Sequence, residues 1–302
     1  MLHTGRTPPL RAPLPRESSL GRGWLRFAQL GPAGALRVVI GMLLFALGAG
    51  QAVAGSDDPI ELRYRFTWAG VPIAELGLRH VTNSTVYQTE FAVQTIGLAD
   101  QLVRYRALSR ATGRYRAPDG FTASRFRSAS DSYKKSRRIM VRFDAHSGDV
   151  LELELTKRGE PDRSKVPAAL QKGVVDPLTA VLQMRHRLAT TGNLDGYTAA
   201  VFDGRRRFEA EARITGRQRV EIAGQTWPVI ELEVSLALIA GSNQDDLDDA
   251  EAGANQLRLQ VLLSDDERLI PLQMSTLDSL FTGTAEIMPE CLGPGGCPPV
   301  SG

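Results

Sequence analysis

The sequence is poor in the residues that carry most enzyme chemistry. Only four histidines and two cysteines stand among 302 residues. No G-x-S-x-G, H-E-x-x-H or phosphate-binding glycine loop occurs, which leaves the common hydrolase, zinc-protease and nucleotide motifs without support. Ser132-Tyr133-Lys134-Lys135 matches S-x-x-K by letter, but that motif needs a helical start to aim its lysine, and here it lies in a polar loop before a strand. Histidines His80, His146 and His186 fall in a strand, a turn and a helix, with no spacing for a shared metal, so no cofactor or metal site is expected. The expectation is a protein that binds and does not catalyse.

Long apolar runs are also absent. The apolar run Val38 to Leu47 is ten residues, half of the roughly 20 that span a bilayer. Six arginines and a single Glu17 precede it, and Ala52-Val53-Ala54 follows. A basic start, a short apolar core and a small-x-small site are the parts of a secretory signal peptide, with cleavage after Ala54. The expected location is therefore outside the cytoplasm, in the periplasm. Without the leader, thirty Lys and Arg face thirty-three Asp and Glu, so the basic pI belongs to the leader. Nucleic acid is not an expected partner there.

What the chain does have is alternation. In Ile60 to Trp68, Leu62, Tyr64, Phe66 and Trp68 fall on one face and Glu61, Arg63, Arg65 and Thr67 on the other, the period of a half-buried strand. Ala69-Gly70-Val71-Pro72 breaks it, and an extended run resumes at Ile73, which predicts a hairpin. Similar runs recur at 85–96, 105–115, 121–128, 136–143 and 150–157, and again at 197–202, 205–214, 217–222, 227–239, 256–263, 269–277 and 282–288. Asp203-Gly204 between two of them predicts a type I′ turn. The pattern changes once: Asp176-Pro177, a cap followed by proline, precedes Leu178, Val181, Leu182 and Leu188 at helical spacing. About a dozen strands with one main helix exclude a doubly wound α/β fold. The expected fold is mainly β, a strongly curved antiparallel sheet or incomplete barrel with the helix packed against it. One β-rich domain over 55–288 follows the 1–54 leader, and a Gly/Pro tail over 289–302 closes the chain. Cys291 and Cys297 in that tail are placed to form a small local disulfide in an oxidising compartment.

Charge is segregated. Between Arg104 and Arg142 twelve basic residues face Asp119 and Asp131, while Glu231 to Glu267 holds ten acids and one Arg258. Two readings stand side by side: an outward face that attracts an anionic lipid or polymer, or basic and acidic strands that pair across the ladder. Asp203-Gly204-Arg205-Arg206-Arg207 offers a carboxylate or phosphate clamp, with Arg205 and Arg207 on one face, or simply a turn. The acidic run Asp245 to Glu251 reads as a solvated loop before a calcium site, since its spacing is not that of an EF-hand.

Three stretches in order, Tyr64-Arg65-Phe66-Thr67-Trp68-Ala69-Gly70-Val71-Pro72, Asp176-Pro177-Leu178-Thr179-Ala180 and Val201-Phe202-Asp203-Gly204-Arg205-Arg206, resemble the exported proteobacterial family called domain of unknown function 3108. The resemblance runs from about Ile60 to Met288 and implies an exported protein, without known catalytic residues. Two functions fit. The first is a carrier for an amphiphilic, lipid-like envelope component, its apolar part lined by Tyr64, Phe66, Trp68, Tyr87 and Phe91 and its head met by Arg205 and Arg207. For each of these aromatics, ordinary core packing is the reading favoured over a cavity lining. The second is an envelope interaction module that binds a partner protein or anionic wall polymer through charged sheet faces, with peripheral contact to a membrane surface.

Overall fold

The computed structural model describes residues 59–241, 256–277, 282–292 and 297. The 1–54 leader and the acidic run at 245–251 lie outside them. The alternation at Ile60 becomes β1 (Ile60–Trp68), with Leu62, Tyr64 and Phe66 buried. Ala69 and Gly70 then take positive φ, 49° and 79°, the pair a two-residue I′ hairpin requires. β2 (Val71–Thr82) starts earlier than the Gly/Pro break suggests, because the β1–β2 register slips between Phe66 and Thr67 and admits Pro72 at that irregularity.

The chain continues through β3 (Val86–Thr95), α1 (Gly97–Val103), β4 (Arg106–Arg116), β5 (Gly120–Asp131), β6 (Ser136–Phe143), β7 (Val150–Lys157) and a two-residue β8 (Glu160–Pro161). After α2 (Pro177–Thr191) come β9 (Tyr197–Phe202), β10 (Arg207–Ile222), β11 (Gln225–Ala240), β12 (Gln256–Ser264), β13 (Pro271–Thr276) and β14 (Gly283–Ile287). All fourteen form one antiparallel sheet in the order β8-β7-β6-β5-β4-β3-β2-β1-β14-β13-β12-β11-β10-β9. The first strand thus pairs with the last, and the long β8–β9 crossover carries the helix. Two expectations change: Arg205 to Ile214 and Arg217 to Ile222 are one strand, bent at a register shift between Ile214 and Gly216, and β8 adds an edge the sequence pattern does not show. Thr215 is the extra residue there, and the bulge bends the strand without ending the ladder.

Because every neighbour is antiparallel, alternate connections fall at the same end of the sheet. The upper rim carries the connections at 69–70, 96–105, 132–135, 158–159 and 203–206 together with Leu277 and Thr282; the lower rim carries those at 83–85, 117–119, 144–149, 223–224 and 265–270.

Two devices fill and close this curved sheet. The first is α2. Asp176 caps it, with Oδ1 accepting the N–H of Leu178 and of Thr179 at 2.9 Å each, and Gly192 ends it at φ 71°. Leu178, Thr179, Val181, Leu182, Met184, Arg185 and Leu188 are all buried, so the helix is covered on nearly every side, as an interior element must be. It is fastened at the lower rim: Gln183 donates to the Phe121 carbonyl (2.9 Å), His186 Nε2 meets the Pro118 carbonyl (2.7 Å), and Arg185 Nε donates to the Leu269 carbonyl (3.1 Å). The second device is the β9–β10 turn. Gly204 alone takes positive φ there (91°), with Asp203 Oδ1 accepting the N–H of Arg205 and Arg206. This corrects the type I′ expectation: glycine holds the first central position, as in type II′, because the Asp203 side chain caps the turn from position i. A Cβ on Gly204 would lie 2.5 Å from Ile139 Cγ2, so the turn tip sits directly on β6. The two sheet edges therefore meet through side chains, with Arg205 Nη1 on Asp162 Oδ2 at 2.5 Å, where no ladder joins β8 to β9.

Cys291 and Cys297 are disulfide-bonded. Both are buried in the core cluster, and the Cys297 N–H donates to the Glu61 carbonyl at 2.7 Å. The bridge therefore staples a tail that is itself packed on β1.

Candidate functional site

The residues expected to line a lumen lie inside the sheet, in a filled core. Tyr64, Phe66, Tyr87 and Phe91 are each no more than 2 % exposed, and Trp68 packs half-buried against the same cluster. Between α2 and strands β9 to β11, Ala180, Met184, Ala199, Ala212 and Leu236 leave a void of about 10 Å³, room for about one water molecule. All five belong to one hydrophobic cluster with the helix, and Tyr87 touches the helix directly through Thr179.

A buried polar chain runs along this plug. Thr179 Oγ1 donates to Asp176 Oδ2 and lies 2.5 Å from the Tyr87 hydroxyl. Burial raises the Asp176 carboxyl to about 6, opposed by the hydrogen bonds it accepts, and burial also holds the Tyr87 hydroxyl well above its ordinary value. Nearer the lower rim, burial pulls Arg185 down to about 9, still charged at neutral pH. His80 Nδ1 pairs with Thr89 Oγ1 at 2.7 Å, while its Nε2 and the Tyr64 hydroxyl are buried without partners. Burial, then the charge of Arg185, lowers His80 to about 3, so it is neutral across physiological pH. Nothing in this arrangement forms a nucleophile with its base. Among the described residues no three His, Cys, Asp or Glu side chains group as metal ligands. Periodicity places Asp176 as a cap, but Arg185 is missed: it sits among apolar positions of the same helix, and only the packing reveals it as a buried charge.

The predicted clamp is found at the seam. Arg205 pairs with Asp162, Arg206 with Asp203 and Arg207 with Glu209. Arg137 of β6 approaches from the opposite edge without an acid of its own, its Nε buried and unpartnered, and burial together with Arg205 and Arg206 lowers its pKa. Arg205 and Arg207 thus hold carboxylates of this chain, and of the two only Arg205, through Asp162, fastens the seam.

The outer face differs. On the acidic side, charges are matched: Glu233 binds Arg213 and Arg258, and Asp265 binds Arg217. On the basic side, Arg106, Arg110, Arg138 and Arg142 have acidic partners, whereas Arg114, Arg125 and Arg127 have none among the described residues. Arg110 stands directly opposite Arg127, and Arg125 opposite Arg142, like-charge juxtapositions that cost stability in a ladder. Beside them Leu108, Ala129 and Met140 floor a groove of about 300 Å³ walled by Arg110, Arg127 and Arg138. A second groove of about 600 Å³ continues over Gly77, Ala92 and Leu108 toward Arg63.

No curated protein matches this sequence. Among solved structures, the chain is similar to one titled "Crystal Structure of Beta-barrel-like Protein of Domain of Unknown Function DUF1849 from Brucella abortus", at 14% identity and a TM-score of 0.44, over 77% of this chain and 96% of that one. The family model for "Protein of unknown function (DUF3108)" matches residues 63–288. That span holds all fourteen strands except the start of β1, together with the helix cap and the Asp203-Gly204 turn; the chain belongs to the DUF3108 family.

Proposed function

We propose that this protein acts as a non-enzymatic interaction module of the cell envelope, exported and processed after Ala54, which binds an anionic envelope polymer through the outer face of β4 to β6. One observation carries the reading: Arg110, Arg125, Arg127 and Arg142 are set against one another across the ladder, and two of them lack an acid. Repulsion of this kind is tolerable where a polyanion bridges the guanidiniums, each of which presents a planar fork suited to carboxylate or phosphate. The carrier alternative requires an interior site, and α2 leaves only about 10 Å³ beside β9 to β11. The burial of Tyr64, Phe66, Tyr87 and Phe91 in the core supports a surface on the outside of the sheet over an interior one.

The test is retention of the processed chain on an immobilised acidic polysaccharide over a salt series. Exposed charges are screened over about 8 Å at physiological ionic strength, so binding is expected to weaken steadily with salt. Arg125→Glu with Arg127→Glu is expected to abolish it while Arg213→Glu, on the matched acidic side, leaves it intact. Equal loss in both variants, or salt-insensitive retention, would overturn the reading.

A further inference from the structure

Exposed apolar side chains are not spread evenly over this molecule. Of the ten large ones exposed among the described residues, six (Val71, Leu98, Leu102, Tyr133, Ile239 and Leu277) lie at the upper rim. Leu98 and Leu102 are 75% and 79% exposed. They stand four residues apart on α1, so they share one helix face. No residue of that helix is fully buried; Val103 packs against the core from one side, and Asp100 is held by the Thr95 hydroxyl and by Arg106, whose guanidinium grips both its oxygens.

The rim connections are tied to one another. The Tyr133 N–H donates to the Val103 carbonyl at 3.3 Å, and the Arg104 guanidinium lies 5.9 Å from the centre of the Tyr133 ring. Arg158 in the β7–β8 turn donates to the Lys134 carbonyl at 3.2 Å. Leu98, Leu102 and Tyr133 are thereby held in one patch with Arg104, Lys134, Lys135 and Arg158. Among the described residues near this patch, Asp100 is held by Arg106 and Asp131 by Arg138, while Glu160 stands across the ladder from Lys157. None of the four cations of the patch has an ion pair among the described residues.

We propose that the upper rim docks onto an anionic lipid surface, with Leu98, Leu102 and Tyr133 entering the headgroup layer and Arg104, Lys134, Lys135 and Arg158 meeting the headgroup phosphates. Exposed apolar side chains surrounded by unmatched cations suit a boundary that is apolar below and negative above. A leucine pair on the outer face of a short helix otherwise only presents apolar surface to water. The orientation would lay the barrel end on the membrane and leave the β4 to β6 face pointing sideways, free for a soluble polymer. The proposal goes beyond the polymer reading and uses other residues.

Hydrogen exchange of the full chain tests it, against vesicles of phosphatidylcholine with and without about one third phosphatidylglycerol. Anionic vesicles are expected to slow exchange at 97–104 and 132–135. Leu98→Ser with Leu102→Ser should remove that protection and weaken rim-dependent binding by about a hundredfold, about tenfold for each leucine withdrawn from the headgroup layer. Arg125→Glu with Arg127→Glu should leave it in place. Vesicle binding with unchanged rim exchange, protection confined to the β4 to β6 face, undiminished protection in the leucine variant, or no binding at all would each overturn the proposal.

Discussion

Asp176→Asn separates the charge of the buried cap from its geometry. The Asp176 carboxyl is fully enclosed and raised from 3.8 to about 6, so the folded state holds its proton more tightly than the unfolded chain does. The contribution is therefore fully present below about pH 4 and is lost as pH rises through about 6. Two units at about 1.4 kcal/mol each amount to about 3 kcal/mol. Asparagine keeps an oxygen for the Leu178 and Thr179 amides, but it does not titrate. Urea unfolding of the two proteins at several pH values isolates the effect, because every other group cancels in the difference. From about pH 4 to about pH 7 the variant should gain about 3 kcal/mol relative to the parent, at equal m-values. A constant offset between the two curves would refute the reasoning, since it would mean that Asp176 ionises in the fold as easily as in the unfolded chain.

His80 provides the opposite slope. Its pKa is depressed to about 3, so its contribution is present above about 6.5 and falls away on acidification; a His80→Gln variant should lose about 1.4 kcal/mol per pH unit less than the parent below about pH 6 in the same assay. At the seam, Gly204→Ala places a Cβ against Ile139 at φ 91° and should lower stability by about 2 to 4 kcal/mol in chemical denaturation; an unchanged midpoint would mean the edges do not meet there. A double-mutant cycle on Arg205→Ala and Asp162→Ala should return a coupling energy of about 1 kcal/mol, somewhat above an exposed pair because both side chains are largely covered.

Much of this fold is legible along the chain because its instructions are local. The Leu62, Tyr64, Phe66 alternation and the Asp176-Pro177 cap each act within a few residues, and both elements appear where the pattern puts them. Closure is not local. That Gly204 lands on Ile139, or that Arg205 reaches Asp162 forty-three residues away, depends on the accumulated curvature of fourteen strands. The same limit explains the aromatics. Alternation says that Tyr64, Tyr87 and Phe91 face inward, but an inward side chain lines a cavity or packs a core according to what stands at the centre. Here α2 stands there, and the helical pattern alone says only that it is amphipathic enough to pack. The basic stretch illustrates the converse: the count of twelve cations is visible in sequence, whereas the opposition of Arg110 to Arg127 requires the register.

The account rests on an interior filled by the chain's own helix, with binding assigned to its outer surfaces. Native mass spectrometry of the protein purified without detergent, followed by organic extraction, tests this most directly. A clean apoprotein mass and an extract free of stoichiometric lipid are the predicted result. A lipid-like molecule that co-purifies at one copy per chain and leaves only on unfolding would contradict it, and would mean that α2 moves aside to admit a ligand among Tyr64, Phe66 and Phe91.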